Sequence, residues 1–244
     1  MSEQLLNRRA IVTGGGSGIG AAIVSAFERE GAEVYILDVR AGGGRSVACD
    51  VGDQAAVVSA VREIAGDGPL DILVNNAGIG FVGKLEQTLE ADLDRLYRVN
   101  VKGVYNCSLA CLPYLRRGTD PVILNMASVA GSVAVADRFA YSTTKGAVLA
   151  MTYSIAKDYL AEGIRCNSIS PARVYTPFVD DYLRRNYPGR EEEMLGALAA
   201  TQPIGRMGRP EEIADLAVYL CSARAGFVTG TDFPIDGGFI RLNS

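Results

Sequence analysis

The chain has 244 residues, 48 % of them hydrophobic and 21 % charged, with a formal net charge of −4. That is enough for one large α/β domain or two small ones, and the absence of any basic run argues against a nucleic-acid or anionic-membrane partner, which needs clustered Lys and Arg. There is no histidine, which removes His-dependent triads and His-ligated metals and leaves proton transfer to Tyr, Lys, Asp, Glu, Cys or water.

In chain order, the first strand is predicted over 10–13, with no signal-like apolar segment before it and no run of membrane-spanning length anywhere. Thr13-Gly-Gly-Gly-Ser-Gly-Ile-Gly20 then turns this strand into a helix over 18–30. Backbone N–H groups at such a turn face a pyrophosphate, and the helix dipole favours its charge. Gly14 permits the turn, Gly18 close approach and Gly20 tight helix packing. A second strand over 34–38 ends on Asp38, 18 residues after Gly20. An acid there accepts the adenosine ribose hydroxyls and repels a 2′-phosphate, which favours NAD over NADP. Arg40 is the competing signal, since a guanidinium suits a phosphate.

A third strand over 47–50 ends on Asp50, either an acceptor for the adenine amino group or a turn residue. Asp53 is a plausible N-cap for a helix over 53–65. A strand over 72–75 leads into Asn75-Asn76-Ala77-Gly78, at a strand end where ligands of open α/β sheets sit. A long helix is predicted over 89–116 with Asn100 inside it. Asn100 either holds a water that passes protons from Lys145 to solvent or is an ordinary capped amide. The strand over 122–127 ends at Ser128, 13 residues before Tyr141.

Tyr141 and Lys145 share one face of a helix predicted over 139–161. A free phenol titrates near pH 10 and is a poor base. An adjacent ammonium and a cationic nicotinamide are expected to favour the phenolate, and a fall of about three units needs about 4 kcal/mol. Arg138 precedes Tyr141 and Arg173 follows Pro171; if both point inward, their guanidinium forks suit a carboxylate. Gln87 and Tyr175 are candidate hydroxyl partners. The remaining strands are predicted over 166–170 and 233–235 and a helix over 210–221, with 171–190 as an irregular flap over a pocket. The five cysteines, odd in number and without Cys-x-x-Cys, read as core thiols of a reducing compartment. The expected localisation is cytoplasmic.

Continuously apolar strands alternating with helices predict a single doubly wound α/β domain over 1–244, a parallel sheet covered on both faces. Residues 171–200 are expected to cover the substrate. No metal site is expected.

Together, Thr13-Gly-x-x-x-Gly-x-Gly20, Asn75-Asn-Ala-Gly78, Asn100, Ser128, Tyr141-x-x-x-Lys145 and Pro171…Thr176-Pro177 resemble the short-chain dehydrogenase/reductase family over essentially the whole chain. The resemblance implies a Rossmann-like sheet of about seven strands, hydride transfer with a nicotinamide cofactor, an Asn100–Ser128–Tyr141–Lys145 tetrad and a homotetramer. By position it implies that Ser17 and Ile19 touch the pyrophosphate, Asp50 and Val51 the adenine, and Val174 and Thr176 the carboxamide. The crossover between Asp38 and Asp50, through Ala41-Gly-Gly-Gly44, is shorter than the family's usual helix, and Ala172 stands where the family often has Gly.

Finer likeness, in Gly163-Ile-Arg-Cys-Asn167 and Gln202-Pro-Ile-Gly-Arg-Met207, is to members acting on 2-keto-3-deoxy sugar acids and to cytosolic 3-hydroxybutyrate dehydrogenases. The expected reaction is NAD-dependent oxidation of a secondary alcohol on a hydroxylated carboxylic acid, a 2-keto-3-deoxy-L-fuconate or -rhamnonate first. A sugar 1-dehydrogenase, an NADPH-dependent keto reductase and a non-catalytic dinucleotide-binding protein are the alternatives.

Overall fold

Strands sandwiched between two helical layers bury both faces, and alternate side chains then serve different layers. The structure, a computed structural model, describes residues 3–40 and 42–242, without the side chains of Phe178, Tyr182 and Asn186. Strands β1 (Arg9–Thr13), β2 (Glu33–Asp38), β3 (Ser46–Ala48), β4 (Ile72–Asn75), β5 (Val122–Met126), β6 (Arg165–Pro171) and β7 (Asp232–Ile235) form one parallel sheet. Their order is β3-β2-β1-β4-β5-β6-β7, so the chain reverses direction across the sheet between β1 and β4 and leaves a crevice at their carboxyl ends.

The helices are α1 (Gly18–Arg29), α2 (Gln54–Ala65), α3 (Glu90–Tyr97), α4 (Gly103–Leu115), α5 (Phe139–Asp158), α6 (Pro177–Asn186), α7 (Glu191–Ala200), α8 (Pro210–Cys221) and α9 (Phe239–Leu242). Ala10, Val12, Ile72, Val74, Val122 and Leu124 pack with Ile23 and Phe27 of α1 and Ile213 and Ala217 of α8. Their neighbours Ile11, Leu73 and Ile123 pack on the other side with Val57 and Val61 of α2 and Cys111 and Leu115 of α4. Each large side chain so buried contributes about 1.5–3 kcal/mol.

The strands lie where the apolar runs put them, except that β3 stops at Ala48 and leaves Asp50 in the following turn. Three helical expectations are corrected. The helix over 89–116 is interrupted by a π turn at Arg98–Lys102 between α3 and α4. The stretch 171–190 contains α6, opened by Pro177 at its first position, and α7 follows it. The helix over 139–161 ends at Asp158, and a short 3₁₀ turn leads to Gly163 at φ 73°. Between β2 and β3 there is no helix among the described residues; Ala41 of the glycine stretch lies outside them.

At the amino ends of the strands a buried ionic cluster holds the sheet together. Arg8 donates to the Asp120 carbonyl at 2.7 Å and lies 3.9 Å from the Asp71 carboxylate, and Arg165 reaches Asp120 and the Leu220 carbonyl. It lies at the end of the sheet opposite the crevice. All five cysteines are buried and unpaired, and burial pushes the Cys166 thiol up to about 12. Among the described residues no helix is long and apolar enough to cross a membrane.

Candidate active site

The site is built where β1, β4, β5 and β6 end. Gly14 follows β1 with φ +64°, a left-handed conformation that glycine adopts without strain. Its N–H donates to the Leu37 carbonyl at 2.7 Å, which ties the loop to β2. A Cβ added at Gly20 would stand 2.1 Å from the Gly14 carbonyl oxygen, so helix and loop meet backbone to backbone. Ser17 takes the N-cap position of α1 with extended backbone and makes no side-chain capping bond, and the first turn of α1 carries no acid. Exposed N–H groups, a free hydroxyl and the helix dipole therefore face one spot, which fits the pyrophosphate of a dinucleotide. Ile19 packs against the core beneath this loop.

Asp38 closes the loop from the side. Its carboxylate accepts the N–H of Gly16 at 3.1 Å and of Arg40 at 3.2 Å. Thr13, to which the sequence reading gave no role, holds the opposite wall: its hydroxyl oxygen accepts the N–H groups of Asn76 and Ala77, both at 3.0 Å. The Asn76 amide donates to the carbonyls of Thr13 and Gly14. The Asn75 amide turns inward to Ser108 and Asn125, and Asn125 donates to Thr152 of α5. This buried ladder ties β4, β5 and α5 together; a run of Asn in apolar strands is its only trace in the sequence.

Asp50 is already engaged. Its carboxylate accepts from Arg98 at 2.7 Å and from the Gly52 N–H at 2.9 Å, and the Arg98 hydrogen bond holds the acid below the usual carboxylate range. Val51 is buried against Gly103, its carbonyl held by Asn106. Val174 is buried and paired with Gly208. Thr176 opens α6, and its methyl carbon lies 3.5 Å from where a Gly18 Cβ would stand.

Ser128, Tyr141 and Lys145 converge below. The Ser128 hydroxyl accepts from the Ala130 N–H at 3.3 Å, lies 3.5 Å from the Pro171 carbonyl and is near enough to the Tyr141 phenol to favour its ionised form. The Lys145 ammonium donates to the Met126 carbonyl at 2.7 Å and stands 5.7 Å from the centroid of the Tyr141 ring. Asn100, in the π turn, faces the same space: a Cβ at Gly78 would lie 3.3 Å from its amide oxygen and 3.6 Å from the Lys145 nitrogen. The extra residue of a π turn redirects a side chain that a regular helix would place elsewhere.

The electrostatics differ from the expectation in one respect. In the chain alone, burial pushes the Tyr141 phenol up, and the nearby Ser128 hydroxyl and the Arg138 charge oppose it. Lys145 is itself buried, and that burial brings its ammonium down to about 8. An unfolded Lys holds its proton to about 10.5. Between those values the unfolded chain binds more protons, so this residue lowers stability below about pH 8 and ceases to do so above about pH 10.5. Lys145→Met therefore gains up to about 3 kcal/mol over the parent near neutrality, and the gain vanishes as the pH climbs. Urea unfolding of both proteins at two pH values measures this; a difference that does not change with pH contradicts it.

Arg138 stays with the site: it occupies the position before the first turn of α5, and its guanidinium donates to the Phe81 carbonyl at 3.1 Å. Arg173 does not join it. Its guanidinium donates to Thr201, its backbone N–H to Gln202, and it lines a separate cavity with Arg206, Glu212 and Asp236. The two arginines therefore do not form one carboxylate fork. Gln87 caps the Lys84 N–H, and the Tyr175 hydroxyl donates to Asp180 in a cleft between α6 and α7.

This geometry has close counterparts. Residues 14–240 match a family model described as enoyl-(acyl carrier protein) reductase. The chain is 37 % identical over 250 residues to the 2-keto-3-deoxy-L-fuconate dehydrogenase of Xanthomonas campestris, covering 98 % of this chain and 82 % of that one. It is 38 % identical over 250 residues to the L-fucose dehydrogenase of Bos taurus, covering 98 % and 91 %. The ligand-free aldohexose dehydrogenase of Thermoplasma acidophilum superposes with a TM-score of 0.94 at 35 % identity, covering 100 % of this chain and 98 % of that one. A glycine cradle at the sheet crevice, a Ser–Tyr–Lys cluster beneath it and relatives matched along nearly their whole length lead to one conclusion: the chain belongs to the short-chain dehydrogenase/reductase family, as a dehydrogenase acting on CH–OH groups with a nicotinamide dinucleotide.

Proposed function

We propose that this dehydrogenase uses NAD to oxidise a secondary alcohol on a hydroxylated carboxylic acid, a 2-keto-3-deoxy sugar acid such as 2-keto-3-deoxy-L-fuconate or -rhamnonate, in sugar catabolism. The observation that carries the reading is Arg138, a guanidinium beside the Tyr141 phenol with one N–H on the Phe81 carbonyl. Its other donors suit a carboxylate bidentately. The fuconate dehydrogenase relative acts on such an acid by its name. Asp38, at the end of β2 beside the glycine loop, supports NAD, because its charge opposes a 2′-phosphate.

In this reading the Ser128 hydroxyl holds the substrate oxygen beside Tyr141. The Tyr141 oxygen takes the hydroxyl proton as the carbinol carbon gives up its hydrogen as hydride. Lys145, between Met126 and the cleft, steadies the charge on the phenolate. The bound nicotinamide dinucleotide supplies the hydride acceptor. Ser17, Gly18 and the α1 N-terminus hold its pyrophosphate, Asn76, Ala77 and Gly78 line its ribose, Asp50 and Val51 flank the adenine, and Val174 and Thr176 meet the carboxamide. Arg173 braces the region 171–200, which covers the substrate.

Exposed Tyr105, Leu109 and Tyr153 on α4 and α5 give subunits an apolar surface to share, in keeping with a homotetramer. Unpaired buried cysteines suit the cytoplasm.

The test is turnover of a panel of hydroxy acids and neutral sugars with NAD and with NADP, on the parent and on Arg138→Gln. The expected result is turnover of sugar acids with NAD, and a rise in their KM of about tenfold or more on losing the guanidinium. Faster turnover of neutral sugars, with KM indifferent to Arg138, points instead to a sugar 1-dehydrogenase. A clear NADP preference removes the role given to Asp38.

A further inference from the structure

Thr144 sits inside the Tyr141-Ser-Thr-Thr-Lys145 motif, directly before the buried lysine. It is 2 % exposed. Its hydroxyl donates to the Tyr141 carbonyl at 2.8 Å, and a hydroxyl has one proton to give. Toward Asn100 the oxygen can therefore only accept, and it accepts from the Asn100 Nδ2 at 3.1 Å. That fixes which way round the Asn100 amide lies. The same Nδ2 donates to the Ile79 carbonyl at 2.9 Å, and the Oδ1 accepts the Ile79 N–H at 2.8 Å. A reversed amide would set oxygen against the Ile79 carbonyl and N–H against N–H. Thr144, Asn100 and Ile79 thus form a network with a single polarity, running from the helix that carries Tyr141 and Lys145 to the loop after β4.

What this network spaces is visible at Gly78. A Cβ there would stand between the Asn100 amide oxygen, at 3.3 Å, and the Lys145 nitrogen, at 3.6 Å. The loop that follows β4 is therefore held close to the ammonium by Asn100, and Asn100 is held by Thr144. Asn100 is itself 1 % exposed, so an amide hydrogen that loses its acceptor there has no solvent to turn to.

We propose that Thr144 is a positioning residue: its buried hydroxyl locks Asn100 and thereby sets the gap between the Gly78–Ile79 loop and the Tyr141–Lys145 helix. This rests on the proton-transfer role proposed above for Tyr141. Thr144→Val keeps the shape and removes the acceptor; Thr144→Ser keeps the acceptor.

Two measurements test it together. In the coenzyme-free protein, amide hydrogen exchange at Ile79 is expected to quicken by about tenfold or more in Thr144→Val, as its partner Asn100 comes loose. In steady-state turnover, kcat is expected to fall by roughly ten- to a hundredfold with KM for the alcohol little changed, as for a small misplacement of reacting groups. Thr144→Ser is expected to restore both. Unchanged Ile79 exchange, a kcat that stays near the parent value while only thermal stability drops, or failure of Ser to rescue each overturns the proposal. If Tyr141→Phe turns over like the parent, the proton-transfer reading has failed instead, and the Ile79 exchange still reports on the Thr144 lock by itself.

Discussion

Tyr141→Phe is expected to lower turnover by roughly a hundred- to ten-thousand-fold, the range for removing a positioned acid–base group, while leaving coenzyme affinity near that of the parent. The change deletes one oxygen. The ring that remains keeps its place in α5, and Ser128 keeps its contacts with the Ala130 N–H and the Pro171 carbonyl, so no buried donor is left without a partner and folding is not the issue. What goes is a phenol oxygen close to Ser128, with the cations Arg138 and Lys145 nearby.

The electrostatics sharpen this expectation. Burial pushes the phenol up in the chain alone, with Ser128 and Arg138 working against it. A phenol in that state stays protonated at neutral pH, so the phenolate is favoured only when a further positive charge enters the cleft, as a cationic nicotinamide does. A spectroscopic titration of the phenolate should therefore move to lower pH on adding NAD to the parent and show no such movement in Tyr141→Phe. If the Phe variant turns over normally, or if NAD leaves the titration where it was, proton transfer belongs to another group.

The parts of this site that were legible in the sequence are those whose requirements are local. A glycine forced by a left-handed turn at Gly14, an acid at a strand end at Asp38 and two side chains four apart at Tyr141 and Lys145 each declare themselves within a few residues. The parts that stayed hidden depend on partners far along the chain. Nothing near Asp50 announces that Arg98, 48 positions on, takes up its carboxylate. Nothing near Arg173 says that Thr201 receives its guanidinium, so the sequence could pair Arg138 with Arg173 only on the condition that both point inward, and the fold turns Arg173 toward Thr201 instead. The π turn around Asn100 was hidden for another reason. Its flanking segments carry ordinary helical composition, and one inserted residue leaves no change of period that so short a window can register. Likewise α6, Pro177–Asn186, has Phe178, Val179, Tyr182 and Leu183 at helical spacing in its sequence, but at ten residues with a Pro at its start so short a window is easily read as a charged loop.

Gly20→Ala is expected to damage both the fold and the coenzyme site. The added carbon would stand 2.1 Å from the Gly14 carbonyl oxygen and 2.5 Å from the Asn76 amide nitrogen. Neither is the free end of a flexible side chain. Gly14 is held at positive φ by its bond to Leu37, and the Asn76 amide spans the carbonyls of Thr13 and Gly14. Relief requires the start of α1 to move off the loop, which breaks the Asn76–Gly14 bond and opens the cradle. Overpacking of this kind costs about 1–3 kcal/mol, and the lost hydrogen bond about 1 kcal/mol more, so a fall in Tm on the order of 5–15 °C is expected for a chain of this size. Coenzyme affinity should fall by about tenfold or more with it, since the N–H groups that face the pyrophosphate no longer converge. Gly43→Ala provides the control: nothing lies within 4 Å of a Cβ at that position, and a surface change there should stay within about 0.5 kcal/mol. Thermal melting of both variants with and without NAD separates the outcomes. Should Gly20→Ala melt and bind NAD like Gly43→Ala, the backbone contact between α1 and the glycine loop is not what shapes the coenzyme site.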